Sequence, residues 1–181
     1  MPPAAARARL GWPVHRRVVL WVGEPRREKR LDLVEATFAR LRGRHPDLDL
    51  RPVSRAPRQH VMWAMNASDV FLFPSDVEGS PVVVKEAMAC KLPVVATEVG
   101  DLPELFRGVR GCRLSGAAPD QLAARVEALL VDGSRSAGRE AVRHLSTAAE
   151  ARRIIALYEE VLAPRPRRAR VAAIMRSNRA P

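Results

Sequence analysis

The sequence holds little of what metal, redox or base-stacking sites need. It has two cysteines, Cys90 and Cys112, at no metal-ligand or redox spacing, which fits thiols kept reduced. The four histidines, His15, His45, His60 and His144, form no ligand pair at helical spacing, so no metal is expected. Aromatic residues make up 4% of the chain, too few to interleave with basic residues as a surface for single strands requires. No apolar run approaches the roughly 18–20 residues of a membrane-spanning helix. Met1–Arg9 carries arginines with no apolar stretch behind them, unlike a secretory signal. The expectation is a cytoplasmic chain.

What is present suits one globular domain. The 181 residues are 47% hydrophobic and 28% charged, enough for a core that needs neither disulfide nor metal. The net charge of +11 comes from 31 basic and 20 acidic residues. Only Lys29, Lys85 and Lys91 are lysine; the rest of the basic set is arginine. Such an excess points first to nucleic acid or an anionic surface. Its placement argues otherwise. Arg7, Arg9, Arg16 and Arg17 lie in a stretch, residues 1–17, that has no acid, and Arg165, Arg167, Arg168, Arg170, Arg176 and Arg179 lie in another, residues 164–181. Between these flanks the chain is close to neutral. The expected organisation is a basic lead-in over 1–17, a domain over 18–163 and a disordered basic tail over 164–181. Nucleic acid is the weakest partner class, while the basic flanks would allow peripheral contact with the inner face of the membrane.

Short buried runs alternate with amphipathic ones. Arg17-Val-Val-Leu-Trp-Val-Gly23, Val70-Phe-Leu-Phe73 and Pro93-Val-Val-Ala-Thr97 suit strands covered on both faces, and Leu48–Ser54 and Gly111–Leu114 suit weaker ones. Leu31, Val34, Phe38 and Leu41 follow helical spacing. Further helices are expected around Gln59–Asn66, Pro81–Cys90 and Pro103–Phe106, from Pro119, and over Glu150–Leu162. The alternation predicts an α/β fold with a parallel sheet of about five strands flanked by helices. Ligands of such sheets bind beyond the carboxyl ends of the strands. The loops to inspect are therefore 23–30, 54–57, 74–81, 97–103 and 115–119.

One segment carries most of the chemistry: Pro74-Ser-Asp-Val-Glu-Gly-Ser-Pro-Val-Val-Val-Lys-Glu-Ala-Met-Ala-Cys90, directly after a buried strand. Ser80 followed by Pro81 has the form of an N-cap and first helical residue. The N–H groups of Val82 and Val83 would then face the ligand edge, where hydrogen bonding and the helix dipole favour phosphate. Gly79 would let the backbone come close to a ligand. Glu78 stands just outside the helix. Glu86 lies six residues on from Ser80, a rise of ~9 Å, and its side chain leans back toward the N-terminus. A diphosphate at the helix end, with a sugar on either side, would suit these two carboxylates. The alternative at this stage is a plain packed helix, or a valine strand with both acids solvated.

Glu78-Gly-Ser-Pro-Val-Val-Val-Lys-Glu86, followed by Ala-Met-Ala-Cys-Lys-Leu-Pro-Val-Val-Ala-Thr, closely resembles the signature of retaining GT-B glycosyltransferases of family 4 (glycosyltransferase group 1), in their C-terminal, nucleotide-sugar-binding domain. The entry stretch Ala-Arg-Leu-Gly-Trp-Pro, the Glu28-Lys-Arg-Leu-Asp-Leu33 run, Met65–Ser75 and Gly100-Asp-Leu-Pro-Glu104 are also similar to family positions. The resemblance implies a Rossmann-like domain equal to half of a GT-B fold, acting on a nucleotide-diphosphate sugar without metal or cofactor. It implies that Glu86 holds the ribose and that Glu78, Gly79 and Ser80 hold the donor sugar. Lys29, Arg26, Ser80, Pro81, Val82 and Val83 would bind the diphosphate. Met62, Trp63 and Met65 read as core. Part of the catalytic set would lie on a separate N-terminal domain, toward which the helix Glu150–Leu162 would return. Three positions depart from the common pattern: Glu24 follows Gly23 where an arginine is usual, Lys91 stands at a usual glycine, and Asp101 replaces the second glycine of a pair. The leading expectation is a glycosyltransferase half-enzyme. A non-catalytic or remnant nucleotide-sugar module is the alternative, and a basic nucleic-acid or anionic-surface binder comes third.

Overall fold

β-Branched and aromatic runs become the five strands: β1 (Arg17–Val22), β2 (Leu48–Val53), β3 (Val70–Phe73), β4 (Val94–Thr97) and β5 (Cys112–Ser115). The computed structural model describes residues 1–163, so the tail expected over 164–181 lies outside the described residues. All strand pairs are parallel and the sheet order is β2-β1-β3-β4-β5. The helices are α1 (Pro3–Leu10), α2 (Leu31–Arg42), α3 (Arg58–Ala67), α4 (Val82–Ala89), α5 (Leu102–Leu105), α6 (Pro119–Asp132), α7 (Gly138–Ala141) and α8 (Thr147–Leu162). This is the Rossmann-like α/β architecture that the alternation predicts.

Central strands bury both faces. Val19, Trp21, Leu72 and Val95 join Leu33, Val34 and Leu41 of α2 and Leu122, Val126 and Leu129 of α6 in one core. Their strand neighbours Leu20, Phe71, Phe73 and Val94 are equally buried. Edge strand β2 is half exposed and tolerates Pro52, whose missing N–H costs least at an edge. Met65 is fully buried, whereas Met62 and Trp63 are only half-buried.

Residues 1–143 form one compact unit, and a second begins at His144. The segment expected as a lead-in over 1–17 is therefore folded. Pro3 opens α1, and Gly11 closes it at φ 66°, the left-handed conformation that glycine adopts without strain. Arg7 explains why this segment holds. Its guanidinium is buried and donates to Ala67 O (2.8 Å), Val14 O (2.7 Å), Arg16 O (2.8 Å) and Asp69 Oδ2 (2.8 Å). In the second unit, α8 is capped by Ser146, whose Oγ accepts from the Ala149 N–H at 3.3 Å.

Candidate functional site

The sheet order reverses its growth between β1 and β3, so the loops leaving these two strands diverge and open a crevice at the carboxyl edge. Lys29 reaches that crevice on a 3-10 turn, Arg27–Lys29, immediately after β1. The buried Trp21 indole N–H donates to Lys29 O at 3.3 Å and so ties the turn to the core. Glu78 enters from the loop after β3. Lys29 Nζ donates to Glu78 Oε1 at 2.5 Å, with the two side chains 28% and 14% exposed. Ser75 Oγ stands between Glu78 Oε1 (2.8 Å) and Glu28 O (2.9 Å), where its single proton can serve either. Residues 49 positions apart thus meet at the switch point.

Helix α4 starts beside them. The expected cap is displaced by one residue: Pro81, not Ser80, is the N-cap, with ψ 107°, and Val82 is the first helical residue. The reason lies in the hydroxyl of Ser80, which donates to Asp101 Oδ2 at 2.8 Å instead of turning back on the helix. No side chain caps α4, so the N–H groups of Val82 and Val83 have no acceptor within the helix. Val82 is itself 67% exposed. An anion can approach these donors directly.

Glu86 lies further along α4, 25% exposed, with its Oε1 3.3 Å from an Arg58 guanidinium nitrogen at the start of α3. Glu78 precedes α4 and Glu86 lies within it, and the two carboxylates have different partners. Arg26 is not drawn in. It pairs with Glu24 at 2.8 Å and is largely exposed. A cleft of about 460 Å³ lined by Arg26, Arg27, Arg30, Asp32 and Asp76 lies beside it.

Sequence reasoning missed Ser75, Arg58 and Lys85, and saw Asp101 only as a departure. Lys85 Nζ donates to Asp101 Oδ2 at 2.7 Å and also contacts Ser80 Oγ. Desolvation pushes the Asp101 carboxyl up, but hydrogen bonds from Lys85 and Ser80 outweigh it and hold the group below its ordinary value. Burial raises both thiols, Cys112 to about 11, so neither carries appreciable thiolate near neutrality. Among the described residues, no three His, Cys, Asp or Glu side chains cluster as a metal site, and no helix is long and apolar enough to cross a membrane.

The fold and the crevice define a Rossmann-like domain whose ligand edge offers an uncapped helix end, a lysine and two carboxylates. The family model for "Glycosyl transferases group 1" matches residues 56–132. The D-inositol 3-phosphate glycosyltransferase of Thermobispora bispora is 30% identical over 89% of this chain and 47% of its own length. Sucrose-phosphate synthase from Thermosynechococcus elongatus superposes with a TM-score of 0.75 at 26% identity, over 90% of this chain and 49% of its own. Anabaena HepE, solved in complex with UDP and glucose, shares the fold at TM-score 0.72 and 19% identity, over 87% of this chain and 51% of its own. Residues 56–132 thus match the glycosyltransferase group 1 family, and the chain has the fold of the C-terminal domain of a GT-B glycosyltransferase. It spans about half the length of these relatives.

Proposed function

We propose that this domain binds the donor of a retaining sugar transfer, a nucleotide-diphosphate sugar, and works with a separate N-terminal domain that supplies the acceptor site. The observation that carries the reading is the Lys29–Glu78 pair at the switch point, next to the uncapped start of α4. A diphosphate seated there would accept from the backbone N–H groups of Ser80, Val82 and Val83. It would draw Lys29 from Glu78, exchanging a carboxylate partner for a phosphate one. Glu78, released from the lysine, would accept from hydroxyls of the donor sugar beside Gly79 and Ser80. Glu86 would accept from the ribose hydroxyls, displacing the exposed Arg58. As the sugar leaves, negative charge develops on the diphosphate, and fixed amides with Lys29 stabilise it without reorganisation. Arg26 would join only by leaving Glu24. Such a donor would suit the cytoplasm, and the arginines of 164–181 would allow contact with the membrane's inner face.

Calorimetry with UDP, GDP and ADP tests the reading. One nucleotide should bind, and Glu86→Ala and Lys29→Ala should each weaken it by roughly 10–100-fold, the worth of a charge-assisted hydrogen bond. Unchanged affinity in both variants would remove the site. A donor-binding module without catalysis is the second reading, favoured by Glu24 standing where an arginine is usual and holding Arg26. Sugar transfer restored by an added N-terminal domain decides against it, and transfer by the chain alone contradicts the need for a partner.

A further inference from the structure

The loop after β4 touches the loop that presents Glu78 more closely than packing alone requires. Gly100 has φ +55°, and a Cβ there would stand 2.1 Å from Gly79 O and 2.9 Å from Glu78 O. The next residue, Asp101, donates its backbone N–H to Gly79 O at 3.1 Å. Its Oδ2 then receives Ser80 Oγ and Lys85 Nζ, the latter from the first turns of α4. One aspartate therefore holds three pieces together: the backbone of Gly79, the side chain of Ser80 and the flank of α4. The same residue begins α5 as its N-cap, so the strap is anchored in the fold.

We propose that Asp101, acting through Lys85 and Ser80, is a positioning residue that fixes the Glu78–Ser80 segment against the start of α4. An exposed ion pair would contribute little. Here the Lys85 side chain is only 17% exposed, and Asp101 Oδ1 is sealed from solvent with no partner of its own. All the bonding falls on Oδ2, the oxygen that faces the donor loop. Glycine at this position could make the backbone contact alone. The carboxylate adds hold on Ser80 and on α4 through Lys85.

The role rests on the donor-site reading, and the experiment separates the two. Amide exchange is followed at residue 101, bonded to Gly79 O, at Val84, bonded to Pro81 O, and at Phe71, bonded to Pro93 O in the core. Asp101→Asn and Lys85→Met should each speed exchange at 101 and 84 by about fivefold or more and leave Phe71 unchanged. The double variant should fall short of the product of the two single effects, because both remove the Lys85–Asp101 link while the Ser80 bond is lost only with Asp101. Lys85→Arg should restore the wild-type rate. Affinity for whichever of UDP, GDP and ADP binds the wild type should fall by a similar factor in Asp101→Asn. Exchange at 101 and 84 within about twofold of wild type in both variants would overturn the strap. So would faster exchange with unaltered nucleotide affinity. If no nucleotide binds the wild type, the donor reading fails, and the exchange rates still decide the strap itself.

Discussion

At the scale of single residues, charge placement decides what sequence can and cannot show. The placement of Glu78 and Glu86 around α4 is legible because each sits at a fixed offset from a helix start, whereas Lys29 is named only through the family resemblance. Lys85 and Asp101 are not legible, because their pairing depends on two loops meeting in space. Arg7 is the clearest case. In the sequence it is one of several N-terminal arginines without an acid nearby. Folded, its side chain is 9% exposed and binds Asp69, which also accepts the Val18 N–H at 2.6 Å. Replacing it with methionine would leave buried carbonyls without a donor and Asp69 without its guanidinium partner. Arg7→Met should therefore cost about 3 kcal/mol, read as a fall in the urea midpoint at constant slope. A loss under about 0.5 kcal/mol, the range of an ordinary surface change, would contradict the structural role given to Arg7.

At the scale of elements, the buried strands were the most legible, since continuous β-branched runs between turn residues have few alternatives. The α1 helix was overlooked because its Ala-Arg composition has no apolar stripe, although Pro3 at the start and Gly11 at the end marked its limits. The start of α4 moved by one residue because Ser80 found Asp101. Its end keeps the left-handed turn although Lys91 stands at the usual glycine. Lys91 has φ 58°, its N–H bonds Met88 O at 2.9 Å, and the Leu92 N–H bonds Ala87 O at 3.0 Å. This is the left-handed helix ending that glycine favours. Lys91 is exposed, so Lys91→Gly should relieve backbone strain and stabilise the protein by about 1 kcal/mol in thermal or urea unfolding. A destabilised Lys91→Gly would mean that the lysine side chain holds the turn.

At the scale of the whole chain, the +11 charge divides differently from its appearance in sequence. Arg16 pairs with Asp49 at 2.6 Å and Arg17 with Asp47 at 2.7 Å, and the Arg17 hydrogen bond holds the Asp47 carboxyl at about 2. Together with Arg7, these N-terminal arginines are internal fasteners of the domain. The half-length match to relatives gives the other large-scale fact. A donor edge of the kind proposed, built from β1, β3 and α4, would need only this domain, while transfer would need a second surface facing it. Isotope-labelled NMR titration of the wild-type chain with UDP, GDP and ADP reads nucleotide binding at this edge residue by residue. One nucleotide should shift the amides of Lys29, Ser80, Val82, Val83 and Glu86 together at a common affinity. Shifts confined to other surfaces, or none with any of the three, would contradict the proposed donor site.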